Sequence, residues 1–184
     1  MTKWERSDYK LRPDHTWRAS PGYGVFVADR GAVRFEFPSG WTMKPGPDSI
    51  RFTDRKPPDD DCLLQVSVQR CPPDLDWTLL PLPELLADIV REDKRGLTVC
   101  GDTHYERRLD LELAWVEARF TDPNENREAR SRSCFARDSE VQAFITMDFW
   151  PEHTARFHPV WAHVLETVRV GQYIEDPTRG PRDT

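Results

Sequence analysis

No stretch of this 184-residue chain approaches the roughly 18 consecutive apolar residues that a membrane-spanning helix needs. The opening Met1-Thr2-Lys3-Trp4-Glu5-Arg6-Ser7-Asp8 also lacks the apolar core of a secretory signal. Cysteine is scarce: Cys62, Cys71, Cys100 and Cys134 show neither C-x-x-C spacing nor a short zinc pattern. Without an export signal such cysteines read as reduced thiols, and the expected location is the cytoplasm. Long runs of one charge are missing too, because 26 basic and 32 acidic side chains are mixed along the chain, for a net charge of −6. Nucleic acid is therefore not an expected partner, since phosphate binding needs a cationic footprint, and neither is a membrane.

The grammar of familiar active sites is absent as well. Gly22-Tyr23-Gly24 and Gly31 do not make a dinucleotide fingerprint, which needs a strand, three spaced glycines and a helix. Ser39 and Ser131 lie outside any G-x-S-x-G elbow. His153, His158 and His163 recur at a spacing that rotates them around a helix instead of stacking them. Neither a cofactor nor a metal is expected. Asp59, Asp60 and Asp61 form the densest acidic cluster and, with Asp54, offer oxygen ligands of the kind hard cations prefer. The EF-hand spacing is absent, so a solvated turn or a recognition loop is the simpler reading.

What the chain does contain is a strong strand-to-helix handover. Val141, Ala143, Ile145, Met147 and Phe149 alternate with Gln142, Phe144, Thr146, Asp148 and Trp150, which predicts a strand with one wholly apolar face. After Pro151 the period changes: Phe157, Val160, Trp161, Val164, Leu165 and Val168 form one helical stripe, with Pro159 dividing or kinking the helix. Upstream, Val25–Ala28 and Val33–Phe37 flank Asp29-Arg30-Gly31 as a hairpin, and Leu64, Val66 and Val68 mark another strand. A middle helix opens at Leu82-Pro83 and stops near Gly96. Strands around Leu111–Phe120 and Arg127–Arg137 follow as an antiparallel meander, with Arg127, Arg130 and Arg132 expected to pair with acidic residues on a solvated face. The division expected is an N-terminal arm (1–22), a single α+β domain (23–170) and a polar C-terminal tail (171–184) that frays. Its fold class is an antiparallel β-sheet packed by a middle helix and a long C-terminal helix, an α/β/α sandwich.

The order of these elements resembles the PsbP/MOG-like superfamily, which includes photosystem II extrinsic subunits and a Ran-binding nuclear-import factor. The likeness rests on Val33-Arg34-Phe35-Glu36-Phe37-Pro38-Ser39-Gly40-Trp41, on Leu113-Ala114-Trp115-Val116-Glu117 and on the closing Phe149-to-Arg169 segment. It points to uncharacterised cytoplasmic bacterial members. It implies binding or assembly and no catalytic residues, and no position here matches a Ran-binding residue.

Seven tryptophans exceed what a core of this size requires, and tryptophan is favoured at binding hot spots. Trp17, Trp41, Trp77, Trp150 and Phe144 are thus the candidate binding residues, with Asp59, Asp60 and Asp61 as a secondary loop candidate. The leading expectation is a non-catalytic binding or assembly module, taking an unidentified protein or peptide partner or a second copy of the chain. The alternative is a small enzyme or ligand-binding domain using His104 or His158 with a carboxylate.

Overall fold

The alternating segment of the sequence becomes an interior strand of a large sheet in the computed structural model, which describes residues 5–181 apart from 8, 73, 110 and 139. Residues 1–4, Asp8 and the last three residues, which entered the sequence reading, lie outside the described residues. In chain order the strands are β1 (Tyr23–Ala28), β2 (Val33–Pro38), β3 (Thr42–Pro45), β4 (Ile50–Thr53), β5 (Cys62–Arg70), β6 (Thr98–Val99), β7 (His104–Arg108), β8 (Leu111–Asp122), β9 (Arg127–Arg137), β10 (Val141–Phe149) and β11 (Arg169–Val170). The α-helices are α1 (Leu82–Glu92) and α2 (Thr154–Thr167).

Among the described residues the fold is α+β, with antiparallel pairing throughout its two sheets. The larger runs β3-β4-β5-β10-β9-β8-β6, with β7 also on β8; the smaller runs β1-β2-β11. The hairpin expected between residues 25 and 37 forms as read, but it joins β11 in a sheet of its own. Its turn takes three consecutive left-handed residues, Asp29, Arg30 and Gly31. Glycine is required at the last of these, because a Cβ there would run into the main-chain carbonyl of Gln172.

The apolar face of β10 meets α2 and the small sheet. Val141, Ala143, Ile145, Met147 and Phe149 are all buried, alongside Phe157, Trp161, Val164 and Leu165 from α2 and Val33 and Phe35 from β2. Burying a side chain of this size stabilises by about 1.5–3 kcal/mol, so this seam fixes how the layers stack. The helix is continuous from Thr154 through Pro159, preceded by a 3-10 turn at Pro151–His153. On the opposite face of the large sheet, α1 packs Leu82, Leu86 and Val90 on Ala114, Val116 and Phe135.

Strand β9 departs from expectation. Its polar sequence predicts a solvated face, yet Ser131, Arg132, Ser133 and Arg137 are buried. The guanidinium groups tolerate this position because they are bonded: Arg132 Nε donates to Glu117 at 2.8 Å, and Arg137 Nε donates to Glu112 at 2.9 Å. The C-terminal tail also differs from the frayed expectation. Gly171 N donates to Ala32 O and Ile174 N to Arg30 O, and Ile174 is buried. Beyond it, Arg12 N and Thr16 N of the arm donate to Thr178 O and Arg179 O, so the two ends of the chain hold each other against the small sheet.

Candidate functional site

The apolar run Val25-Phe26-Val27-Ala28 does not alternate, and a strand with a solvated face would. The structure supplies the reason. Phe26 and Ala28 point into the core, while Val25 and Val27 are half-buried beneath the N-terminal arm. Between them and the open end of the large sheet lies a cleft of about 680 Å³. Val25 and Val27 form one wall, Met43, Pro45 and Ile50 of β3–β4 the other, and Phe37 adjoins them. Tyr9, Leu11 and Trp17 of the arm close it from above. Phe26 and Phe37 of its lining pack into a ring cluster with Phe35 and Phe52, with ring centroids 4.8–5.6 Å apart.

The wall formed by β1 has an open main-chain edge, since β1 lies at the end of its sheet and pairs only with β2 among the described residues. Ser39 N donates to Gly22 O at 3.0 Å, whereas Glu36 N turns away from β1 to Thr167 Oγ1. Bonded and non-bonded pairs alternate in an antiparallel ladder. Gly24, Phe26 and Ala28 therefore belong to the bonded set, and the N–H and C=O groups of Val25 and Val27 face the free edge.

The arm is tied down on the far side of this cleft. Trp17 Nε1 donates to Pro177 O at 2.8 Å, and Thr16 Oγ1 to Arg179 O at 3.2 Å. Ser20 N donates to Glu36 Oε2 at 3.1 Å, and the same carboxylate oxygen lies 2.7 Å from His163 Nε2. Tyr23 packs on the His163 ring at 3.9 Å between centroids. Burial works against the Glu36 carboxylate, but the hydrogen bonds from His163 and Ser20 outweigh it and hold its pKa below the ordinary glutamate value.

Of the residues singled out from sequence, Trp17 alone lines the cleft. Trp41 packs edge-on against Phe157 at 6.1 Å, and Trp77 is buried before α1. Trp150 lies under the Arg127 guanidinium at 3.6 Å, and Phe144 packs on Phe135 under α1. These aromatics are spread over the molecule and do not converge. Asp61 is drawn to Arg156 at 3.1 Å and to Arg55, while Asp59 is exposed and Asp60 half-exposed. Asp54 Oδ1 accepts from the amides of Asp61 and Cys62 and so organises that loop. Among the described residues no group of three or more His, Cys, Asp or Glu side chains is placed to hold a metal ion.

His104 is exposed and stacks on Trp115 at 4.2 Å, and His158 is exposed on α2. Among the described residues, the histidine–carboxylate contacts fall instead at His163 with Glu36 and at His153 with Asp61. All four cysteines are free thiols, and burial raises the pKa of both Cys62 and Cys134, which leaves these two unreactive.

A family model described as Alr1449 matches residues 24–174, from the second residue of β1 through the buried Ile174. The chain belongs to the Alr1449 family. An uncharacterised Alr1449 protein from Nostoc sp. strain PCC 7120 is 42% identical over 179 residues, covering 97% of this chain and 93% of that protein. Among solved structures, cyanobacterial PsbP (CyanoP) from Synechocystis sp. PCC 6803 superposes with a TM-score of 0.65 at 13% identity, covering 83% of this chain and 94% of that one. LpqN, involved in cell envelope biogenesis of Mycobacterium tuberculosis, superposes at 0.57 with 11% identity, covering 79% and 88%. This Alr1449-family chain thus has a PsbP-like fold, as the order of its elements implied. The family match begins at Gly24, so the arm that roofs the cleft lies outside it, whereas both cleft walls lie within it.

Proposed function

We propose that the protein is a non-catalytic binding module whose site is the cleft between β1, the β3–β4 end of the large sheet and the N-terminal arm. One observation carries this reading: an apolar cavity of about 680 Å³, within the roughly 300–1,000 Å³ range typical of ligand sites, is bounded by a strand edge that is unpaired among the described residues. The alternative, acid–base work by His104 or His158, has less to rest on, because the carboxylate contacts lie at other histidines. The Glu36–His163 pair serves as a cross-link between β2 and α2 that also seats the arm through Ser20.

The test is fluorescence enhancement of anilinonaphthalene sulfonate by the wild-type protein, by Val27→Arg and by Val99→Arg. Val99 lies on β6, at the opposite edge of the large sheet, and is exposed. Enhancement by wild type and Val99→Arg, lost in Val27→Arg with an unchanged thermal midpoint, supports the cleft as the site. Equal enhancement by all three overturns it.

A further inference from the structure

We infer, building on the cleft reading, that the occupant is an extended peptide segment of a partner protein, which adds as a strand to the free edge of β1. Two observations converge on this. The N–H and C=O groups of Val25 and Val27 lie on the free edge of β1 in ladder geometry, and both residues line the cleft, so they offer two donors and two acceptors at the spacing a neighbouring strand requires. The described backbone bonds of the arm are with the C-terminal tail, within its own turns and, at Gly22 O, with Ser39 N, and none involves Val25 or Val27, so the described part of the arm lines the cleft without taking up the β1 edge. An apolar small molecule would leave those main-chain groups unmatched, whereas a strand satisfies them and places alternate side chains against the walls.

Charge selects the segment. Although the chain carries a net charge of −6, the lining of the cleft includes Arg18 and Arg30, the latter bonded to the neutral Tyr173 hydroxyl and Glu175 carbonyl, against Glu5 and Asp29. Asp29 is already paired with Arg70. The local excess is cationic, and it complements a segment of alternating apolar residues flanked by acidic ones. The segment needs about four to six residues to run the six-residue length of β1.

The experiment titrates the full chain with the synthetic peptide Asp-Val-Thr-Val-Thr-Val-Asp and with its analogue methylated at every peptide nitrogen. Binding is followed by calorimetry and by the amide NMR signals of Val25 and Val27. The analogue keeps the side chains and charge but cannot donate to β1. The expected result is binding of the plain peptide, shifts at both valine amides, and a loss of roughly tenfold or more on methylation, the value of two or so ladder bonds. Equal binding of the two peptides overturns strand addition and leaves the cleft reading in place. So does failure of both peptides while anilinonaphthalene sulfonate still binds in a Val27-dependent way. If neither the peptides nor the fluorophore bind, both readings fall.

Discussion

Arg137 reaches Glu112 across the β8–β9 ladder, its Nε 2.9 Å from a carboxylate oxygen, with only 2% of its side chain exposed. Its two terminal nitrogens donate to the carbonyls of Trp77 and Leu80, at 2.5 and 2.6 Å. One buried cation thus fastens the connector before α1 to the middle of the sheet. Removing it would strip the cation from Glu112, which would keep only the Tyr105 hydroxyl as a described donor, and would leave two main-chain acceptors without theirs.

Arg137→Met should therefore destabilise the protein by about 3–5 kcal/mol, the range for breaking one partner of a buried pair. Glu112→Gln, which keeps an acceptor oxygen, should cost less. Chemical denaturation of both variants measures this, and equal losses would mean that the main-chain bonds contribute little.

The Glu36 carboxylate sets an acid limb of stability. Its folded pKa is below the ordinary 4.5, so the unfolded chain binds more protons near that pH. The stabilisation is present above the ordinary value and is lost as pH falls through the folded one. Thermal midpoints recorded from neutral to acid pH should fall less steeply for Glu36→Gln than for wild type. Parallel curves would sink the assignment.

Asp148 has the opposite sign. Burial, the dominant influence, raises its pKa above 3.8 despite Arg95 at 2.8 Å. The folded state then holds its proton more tightly, and stability declines as pH rises from the ordinary aspartate value through the raised one. Asp148→Asn should raise the thermal midpoint at neutral pH. A lower midpoint would show that the Arg95 pair outweighs the desolvation.

Gly31 lets the tail dock. With φ at +98° and the Gln172 carbonyl where a Cβ would stand, Gly31→Ala should cost at least about 1 kcal/mol. The loss should show locally, as faster hydrogen exchange at the Ile174 amide, which bonds to Arg30 O at 2.7 Å. Unchanged protection there would mean that the turn relaxes without displacing the tail.

The role of Trp17 shows how far the sequence reached into the site. Trp17 was legible as an aromatic binding candidate, because tryptophan is favoured at binding hot spots. Where it docks was not, since its partner, the Pro177 carbonyl, is 160 residues away. Val25 and Val27 carried a readable signal in their unbroken apolar run, but it told only that both faces of β1 are covered.

The buried faces of β10 and α2 follow from the sequence without any tertiary information. The period-two pattern of β10 and the helical stripe of α2 settle which side chains must leave water, because that choice depends only on local geometry and side-chain chemistry. Tertiary structure alone decided which strands became edges, which arginines were buried, and that the two chain ends meet. Those outcomes depend on registers between distant segments. A charged residue such as Arg137 enters the core only when a specific carboxylate and carbonyls, separated from it by 25 to 60 residues, arrive to replace its water.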